Sequence, residues 1–167
     1  SVLLDSKNRK LNIGLRRKNS QQIIPIEHCL VLEQPLNDLL PKLTALFSQW
    51  SMPQQLGHIE LVAADNGIAM LLRHIKNVGE TDRTLLLRFA EQHQLMLFVQ
   101  EHDSIEHWYG EQPYYRLGDD ITLQFDIRDF IQINAQLNRQ MIATALDWLE
   151  LNPQDHVLDL FCGMGNF

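Results

Sequence analysis

The final stretch of the chain, Val157-Leu158-Asp159-Leu160-Phe161-Cys162-Gly163-Met164-Gly165-Asn166-Phe167, constrains the fold more than any other. An apolar run from Val157 to Phe161 passes directly into a loop with glycine at alternate positions. The spacing predicts a short buried β-strand followed by a glycine turn. Gly163 and Gly165 carry no Cβ, so the backbone there can take positive φ and let a ligand lie against it. In open α/β sheets a nucleotide cofactor sits in that place, in the crevice beyond the carboxyl end of a strand. The chain opens on Ser1 and stops where the next helix should begin, so both ends read as cut.

Upstream, the hydrophobic period changes several times. Leu11, Ile13 and Leu15 alternate with Asn12, Gly14 and Arg16, the period of a half-buried strand. Lys18-Asn19-Ser20 is turn chemistry, and a second strand over 22–27 completes a hairpin. From Pro35 to Trp50 the apolar positions Leu36, Leu39, Leu40, Leu43, Phe47 and Trp50 fall at helical spacing. Pro41 inside that segment predicts a kinked or separate first turn. Strands over 57–64 and 68–74 flank Asp65-Asn66-Gly67, where Asn-Gly is a strong hairpin signal. A second amphipathic helix over 81–94 carries Leu85, Leu86, Phe89 and Ala90, followed by strands over 95–99, 104–109 and 121–125. Asn134 is placed to cap a third helix with a stripe of Leu137, Met141, Ala145 and Trp148. The expected fold is an α+β domain over 1–125, with helices on one face of a mostly antiparallel sheet. The truncated start of a Rossmann-like α/β domain follows over 126–167.

A chain of 167 residues, 45% of them hydrophobic, is long enough to bury a core in one or two domains. No apolar run approaches the length that spans a bilayer. Two cysteines, Cys29 and Cys162, lie far apart and fit a reducing cytosol better than a disulfide framework. The net charge of −7 argues against a nucleic-acid partner, but the charges are unevenly placed. Lys7, Arg9, Lys10, Arg16, Arg17 and Lys18 crowd the amino-terminal stretch against the single acid Asp5. Such a cluster suits a row of RNA phosphates. It equally suits an edge strand whose charges guard against aggregation. The seven histidines show no metal-ligand spacing, and no Ser/His/Asp arrangement stands out. His102 and His107 read as surface residues.

A dinucleotide fingerprint would need a third glycine at position 168 and an acid about twenty residues on. A nicotinamide-dependent oxidoreductase therefore stays an alternative, as does a non-catalytic RNA-binding module. The visible pattern, Asp159-x-Phe161-x-Gly163-x-Gly165, fits better with S-adenosylmethionine methyltransferases. Asp159 before the turn can orient loop amides or the cofactor's amino group.

With the block Asp129-Phe130-Ile131-Gln132-Ile133-Asn134, then Asn138, then the Asp159–Phe167 block, the chain resembles the RNA (uracil-5)-methyltransferases. Within that family it is most similar to the bacterial enzymes that act on uracil 1939 of 23S rRNA and carry an iron–sulfur cluster. The resemblance implies a cytoplasmic enzyme that moves methyl from S-adenosylmethionine to uracil C5. In that chemistry a cysteine thiolate adds to C6, making C5 nucleophilic, and a base later removes the C5 proton. Both groups are expected beyond Phe167, so this chain is expected to hold no catalytic residue and to be inactive alone. No membrane and no obligate protein partner are implied.

By position, the resemblance gives Gln132, Phe161 and Asn166 to the cofactor, beside Asp159, Gly163 and Gly165. On their own, Gln132 could cap the third helix and Phe161 could be core; Phe130 could stack on a base or pack inside. Cys162 reads as a small packed residue rather than a nucleophile. Cys29 reads as a buried thiol among Ile24, Ile26, Leu30 and Val31. The resemblance instead makes it the fourth ligand of a [4Fe–4S] cluster, whose other three cysteines are absent from the chain.

Overall fold

The computed structural model describes residues 2–5, 10–20, 22–117, 121–131, 134–163 and 165. Its centre is a four-stranded sheet of β4 (Leu56–Ala64), β5 (Gly67–His74), β6 (Leu95–Glu101) and β7 (Ser104–Tyr109), in that order across the sheet. The β4–β5 and β6–β7 pairs are antiparallel, whereas β5 and β6 run parallel from Ile68↔Leu95 to His74↔Glu101. A parallel pair cannot be closed by a tight turn, and helix α2 (Glu80–Gln92) makes the crossover. The sheet is thus mixed, with antiparallel pairing predominating as expected.

The two central strands are continuously apolar because both of their faces are covered. Ala69, Met70, Leu71 and Leu72 of β5 are fully buried, and Leu95 to Val99 of β6 nearly so. On one face Met70, Leu72, Leu95, Leu97 and Val99 meet Leu86, Phe89 and Ala90 of α2. Helix α1 (Gln34–Phe47) packs there too, through Leu39, Leu43, Leu46 and Phe47. On the other face Ala69, Leu71, Met96 and Phe98 pack with Ile127, flanked within the sheet by Val62, Ala64 and Ile105. Both of these helices therefore lie on one face. The predicted α1 stripe, Leu36 to Trp50, is buried at every position. Pro41 does not split α1, which runs unbroken from Gln34 to Phe47. Proline removes one N–H from the ladder, and the buried stripe on both sides of it outweighs that loss.

A three-stranded antiparallel sheet joins β1 (Val2–Asp5), β2 (Lys10–Arg16) and β3 (Ile23–Pro25). The predicted hairpin is its β2–β3 part, with Gly14↔Pro25 and Arg16↔Ile23 in register and a shorter second strand than expected. A two-stranded ribbon pairs β8 (Tyr114–Leu117) with β9 (Ile121–Gln124). Tyr114 and Tyr115, which follow the 110–113 segment, are strand residues of this ribbon.

Polar side chains tie these parts together. Asp82 in the first turn of α2 accepts from the Ser51 amide at 3.0 Å and its hydroxyl at 2.5 Å, holding α2 to the chain that leaves α1. The Val78 amide donates to Glu101 at 2.7 Å, which fixes the approach to α2 from the end of β6. Trp50 Nε1 donates to His74 Nε2 at 3.4 Å; an indole can only donate, so His74 carries its proton on Nδ1, facing the Lys76 carbonyl.

Helix α3 (Ala135–Leu149) forms as expected, with the Asn134 side chain accepting from the Leu137 amide at 2.9 Å. Its stripe is not buried: Leu137 is 51% exposed, Met141 41% and Trp148 81%. The predicted strand over 157–161 is absent. That segment has no regular structure, with Val157 60% and Leu158 79% exposed. A strand needs a partner for its backbone groups, and none of the described strands pairs with it.

Replacing the buried Asp82 by Ala leaves the Ser51 amide without its acceptor. The Asp82→Ala protein should lose roughly 1–3 kcal/mol of stability. Urea denaturation followed by tryptophan fluorescence should show a lower midpoint at unchanged slope.

Candidate functional site

The Asp65–Asn66 turn at the end of β4 fixes the β8–β9 ribbon beside the main sheet. The Asp65 amide donates to the Tyr114 carbonyl at 2.9 Å, and the Asp65 carboxylate accepts from the Arg116 amide at 2.8 Å. Asn66 accepts from the Tyr114 amide and donates to the Gln112 carbonyl, each at 3.1 Å. The ribbon's exit then places Phe125 and Ile127 in the interior, both under 5% exposed. From there the connector turns sharply. Asp129 donates its amide to the Asp126 carbonyl at 2.8 Å, and the Asp126 amide donates to the Asp129 carboxylate at 2.7 Å. Arg128 closes a two-pronged pair on the Asp126 carboxylate at 2.8 and 3.0 Å. This braced turn aims the chain toward Phe130 and Ile131. Phe130 is 83% exposed, so its core alternative is not realised.

Between α1, β4, β8 and α3 lies a pocket of about 230 Å³. Leu36, Leu61, Leu117, Phe125 and Ile131 give it apolar walls, while Arg116, Arg139, Glu33 and Asp65 stand around it. None of these residues was singled out from the sequence as functional. Tyr114-Tyr115-Arg116, aromatics interleaved with a cation, was the available signal. Burial, and then the charge of Asp129, raise the Tyr115 phenol above its usual value and favour its protonated form.

The glycine turn forms without the strand before it. Gly163 has φ +57° and Gly165 φ +79°, and the Gly165 amide donates to the Cys162 carbonyl at 2.9 Å. Among the described residues, chain neighbours aside, no atom lies within 4 Å of where a Cβ would sit on either glycine, so on that side the backbone is open to a ligand. That geometry fits the cradle expected for S-adenosylmethionine. Phe161 has φ +65° and is fully exposed, and Asp159 is exposed as well. Cys162 is exposed, not packed as expected, because no described residue covers the turn. Gln132 and Asn166 lie outside the described residues.

Arg16, Arg17 and Lys18 stand exposed at the β2–β3 hairpin, whose first strand Lys10 opens. Lys7 and Arg9 lie outside the described residues. Arg17 donates to the Gln22 side chain at 3.3 Å, and Arg73 pairs with Glu60 at 2.7 Å. Burial first, and then neighbouring cations including Arg16 and Arg73, lower the pKa of His58. Lys18 lies in the turn between β2 and β3.

Cys29 is half-buried, not enclosed, since Ile24 is 51%, Leu30 93% and Val31 83% exposed. The buried Asn37 of α1 grips its loop. Asn37 accepts from the Cys29 amide at 2.8 Å and donates to the Cys29 and Leu32 carbonyls, both at 3.0 Å. One thiolate does not make a cluster site, and among the described residues no group of three or more His, Cys, Asp or Glu could hold a metal ion. His102 and His107 are exposed as expected; His102 bonds Asn77 at 2.9 Å and His107 stacks on Phe98. Among the described residues no helix is long and apolar enough to cross a membrane.

The family described as tRNA (uracil-5-)-methyltransferase matches residues 6–167. The chain belongs to that family. Over all of its residues it is 62% identical to the 23S rRNA (uracil(1939)-C(5))-methyltransferase RlmD of Pasteurella multocida, and 60% identical to that of Haemophilus influenzae. It spans 38% of the length of each. A solved structure, the Pyrococcus abyssi tRNA (uracil-54, C5)-methyltransferase in complex with S-adenosyl-L-homocysteine, superposes with a TM-score of 0.68. That match covers 93% of this chain and 42% of the other at 18% identity, a likeness of fold. Family membership supports the methyltransferase reading and leaves the nicotinamide alternative without support.

The Arg128 hydrogen bonds hold the Asp126 carboxyl below its usual value of 3.8. A carboxylate stabilised this way favours the folded state above its unfolded pKa, and that contribution fades as pH falls through the lower folded value. The pair is well exposed, so the contribution is small. An NMR titration should place the Asp126 midpoint below 3.8, and Arg128→Ala should move it upward.

Proposed function

We propose that this chain is the middle part of an enzyme that methylates C5 of a uracil in 23S rRNA, the position corresponding to 1939. The observation that carries the reading is sequence identity extending over all 167 residues to relatives named for that activity. In this reading residues 1–125 form a domain that contacts RNA, and residues 126–167 begin the methyltransferase domain.

S-adenosylmethionine supplies an electrophilic methyl group carried on a sulfonium. The chain's own residues hold and orient it. Gly163 and Gly165, with open positive-φ backbone, let the loop amides approach the methionine part. Asp159 orients those amides or the cofactor's amino group. Phe161, with its ring uncovered, packs on the cofactor. Gln132 and Asn166 contribute side-chain hydrogen bonds. The braced turn over 126–129 sets the path of the chain into Phe130 and Ile131, so it is a positioning element rather than a catalytic one. The nucleophilic thiol and the base come from sequence beyond Phe167.

Lys7, Arg9, Lys10, Arg16, Arg17 and Lys18 neutralise RNA phosphates, and the exposed Phe130 stacks on a base once the target has left its stack. Cys29, held by Asn37, supplies one thiolate of a [4Fe–4S] cluster whose remaining ligands lie elsewhere in the whole protein. The enzyme works in the cytoplasm, where its rRNA substrate is found.

The test uses the full-length protein, unmodified large-subunit rRNA and methyl-labelled S-adenosylmethionine, with the labelled nucleoside identified by mass. Label in 5-methyluridine at one site supports the reading; cofactor binding with no labelled nucleoside sinks it. Gln132→Ala and Asn166→Ala should each weaken cofactor binding roughly tenfold, about the worth of one hydrogen bond, as read by calorimetry. RNA affinity should fall with a log–log salt slope near roughly −4 for about five phosphate contacts. Charge reversal at Arg16, Arg17 and Lys18 should flatten that slope.

A further inference from the structure

The pocket between α1, β4, β8 and α3 has no part in the site just described, yet it has the features of a base-binding site. We infer that it receives one unstacked nucleobase of the RNA substrate, at a position other than the target uracil. This rests on the chain's enzyme acting on RNA.

Four observations carry it. The volume of about 230 Å³ and the apolar walls of Leu36, Leu61, Leu117 and Ile131 suit a flat, weakly polar ligand. Sequence-specific RNA recognition works largely on splayed single-stranded bases, held by apolar or aromatic surfaces and read along their edges. The pocket runs along Leu61 to Ala63 of β4, which among the described strands stands at the end of its sheet. Alternate backbone N–H and C=O groups of an edge strand point away from the sheet, here away from β5. A base edge placed there meets both donors and acceptors.

The charges beside the pocket fit a nucleotide as well. Arg116, whose guanidinium lies 5.8 Å over the Tyr114 ring, and Arg139 on α3 are both exposed at the pocket. They can meet the phosphates on either side of an inserted base. Asp65 uses one carboxylate oxygen on the Arg116 amide, leaving the other to accept from an exocyclic amino group. Glu33 offers a second such acceptor. Paired carboxylate acceptors favour a base carrying an amino group, which uracil lacks. Lastly, Ile131 in the wall directly follows the exposed Phe130. A base stacked on Phe130 and a base in the pocket would be close along one strand.

The experiment uses the full-length protein with an oligoribonucleotide spanning the methylated uridine. A photoreactive thio-nucleotide replaces one residue at a time. Cross-linked peptides mapping to 31–36, 115–117 or 139 from one nucleotide other than the target support the inference. Leu117→Trp fills the pocket and Arg139→Glu reverses a surface charge; each should weaken RNA binding roughly tenfold, with S-adenosylmethionine affinity unchanged. Cross-links confined to 10–18 and 130, with both variants binding RNA normally, would overturn the pocket and leave the RNA reading intact. Loss of cofactor binding in Leu117→Trp would overturn it in favour of a cofactor subsite. Should Leu117→Trp fail to fold, normal RNA binding by Arg139→Glu is the overturning result. Failure of the wild-type protein to bind the RNA at all would sink the underlying reading itself.

Discussion

Parallel pairing of β5 with β6 is the constraint on which the rest of the structure depends. Two adjacent strands, Ala69–Leu72 and Leu95–Val99, are apolar at every position and exclude water on both faces. A half-buried strand alternates; these do not, so each face must be covered. Helix α2, required to carry the chain back for a parallel partner, covers one face together with α1. The other face is closed by the segment around Ile127, after the chain has passed through the β8–β9 ribbon. The connector that bears Phe130 and leads to Gln132 is thus anchored by the core itself, a few residues away.

Polar contacts convert that core into a framework with defined edges. The Asp65–Asn66 turn engages the ribbon through four hydrogen bonds, and the Asp126–Arg128–Asp129 turn fixes the direction of exit. Side chains in turns do this well because the backbone groups they meet have no strand or helix partner. The same contacts create the pocket, since they hold β8 beside β4 without letting it pair into the sheet. On the opposite side of the chain's functional map, Asn37 satisfies three backbone groups of the Cys29 loop from within α1. The thiol is held in place while Leu30 and Val31 remain uncovered around it.

Much of this was legible in the sequence. Asn-Gly at 66–67 gave the hairpin, the Leu36 to Trp50 stripe gave α1 and its buried face, and Asn134 gave the start of α3. These are local signals, read from nearest-neighbour sterics and periodicity. Others were illegible for reasons of distance. The strand nature of Tyr114 and Tyr115 depends on pairing with Leu123 and Gln124, and their docking depends on Asp65, some fifty residues earlier. The β1 strand is defined by its pairing with the second edge of β2, which no local pattern in Val2–Asp5 announces. Pro41 does not break α1, since helix propensity is a weak term beside a continuous buried stripe.

The carboxyl-terminal segment separates the two kinds of information most cleanly. By itself the sequence determined the chemistry of Asp159 to Phe167 and, through two glycines, a turn with positive φ. Those are properties of single residues and survive without neighbours. Whether Val157 to Phe161 becomes a strand, whether Cys162 is packed, and whether the α3 stripe is buried were decided only in three dimensions. Each of these needs surface supplied by other parts of a fold. The pocket beside β4 belongs to the same category, because its walls come from four elements that no local pattern connects.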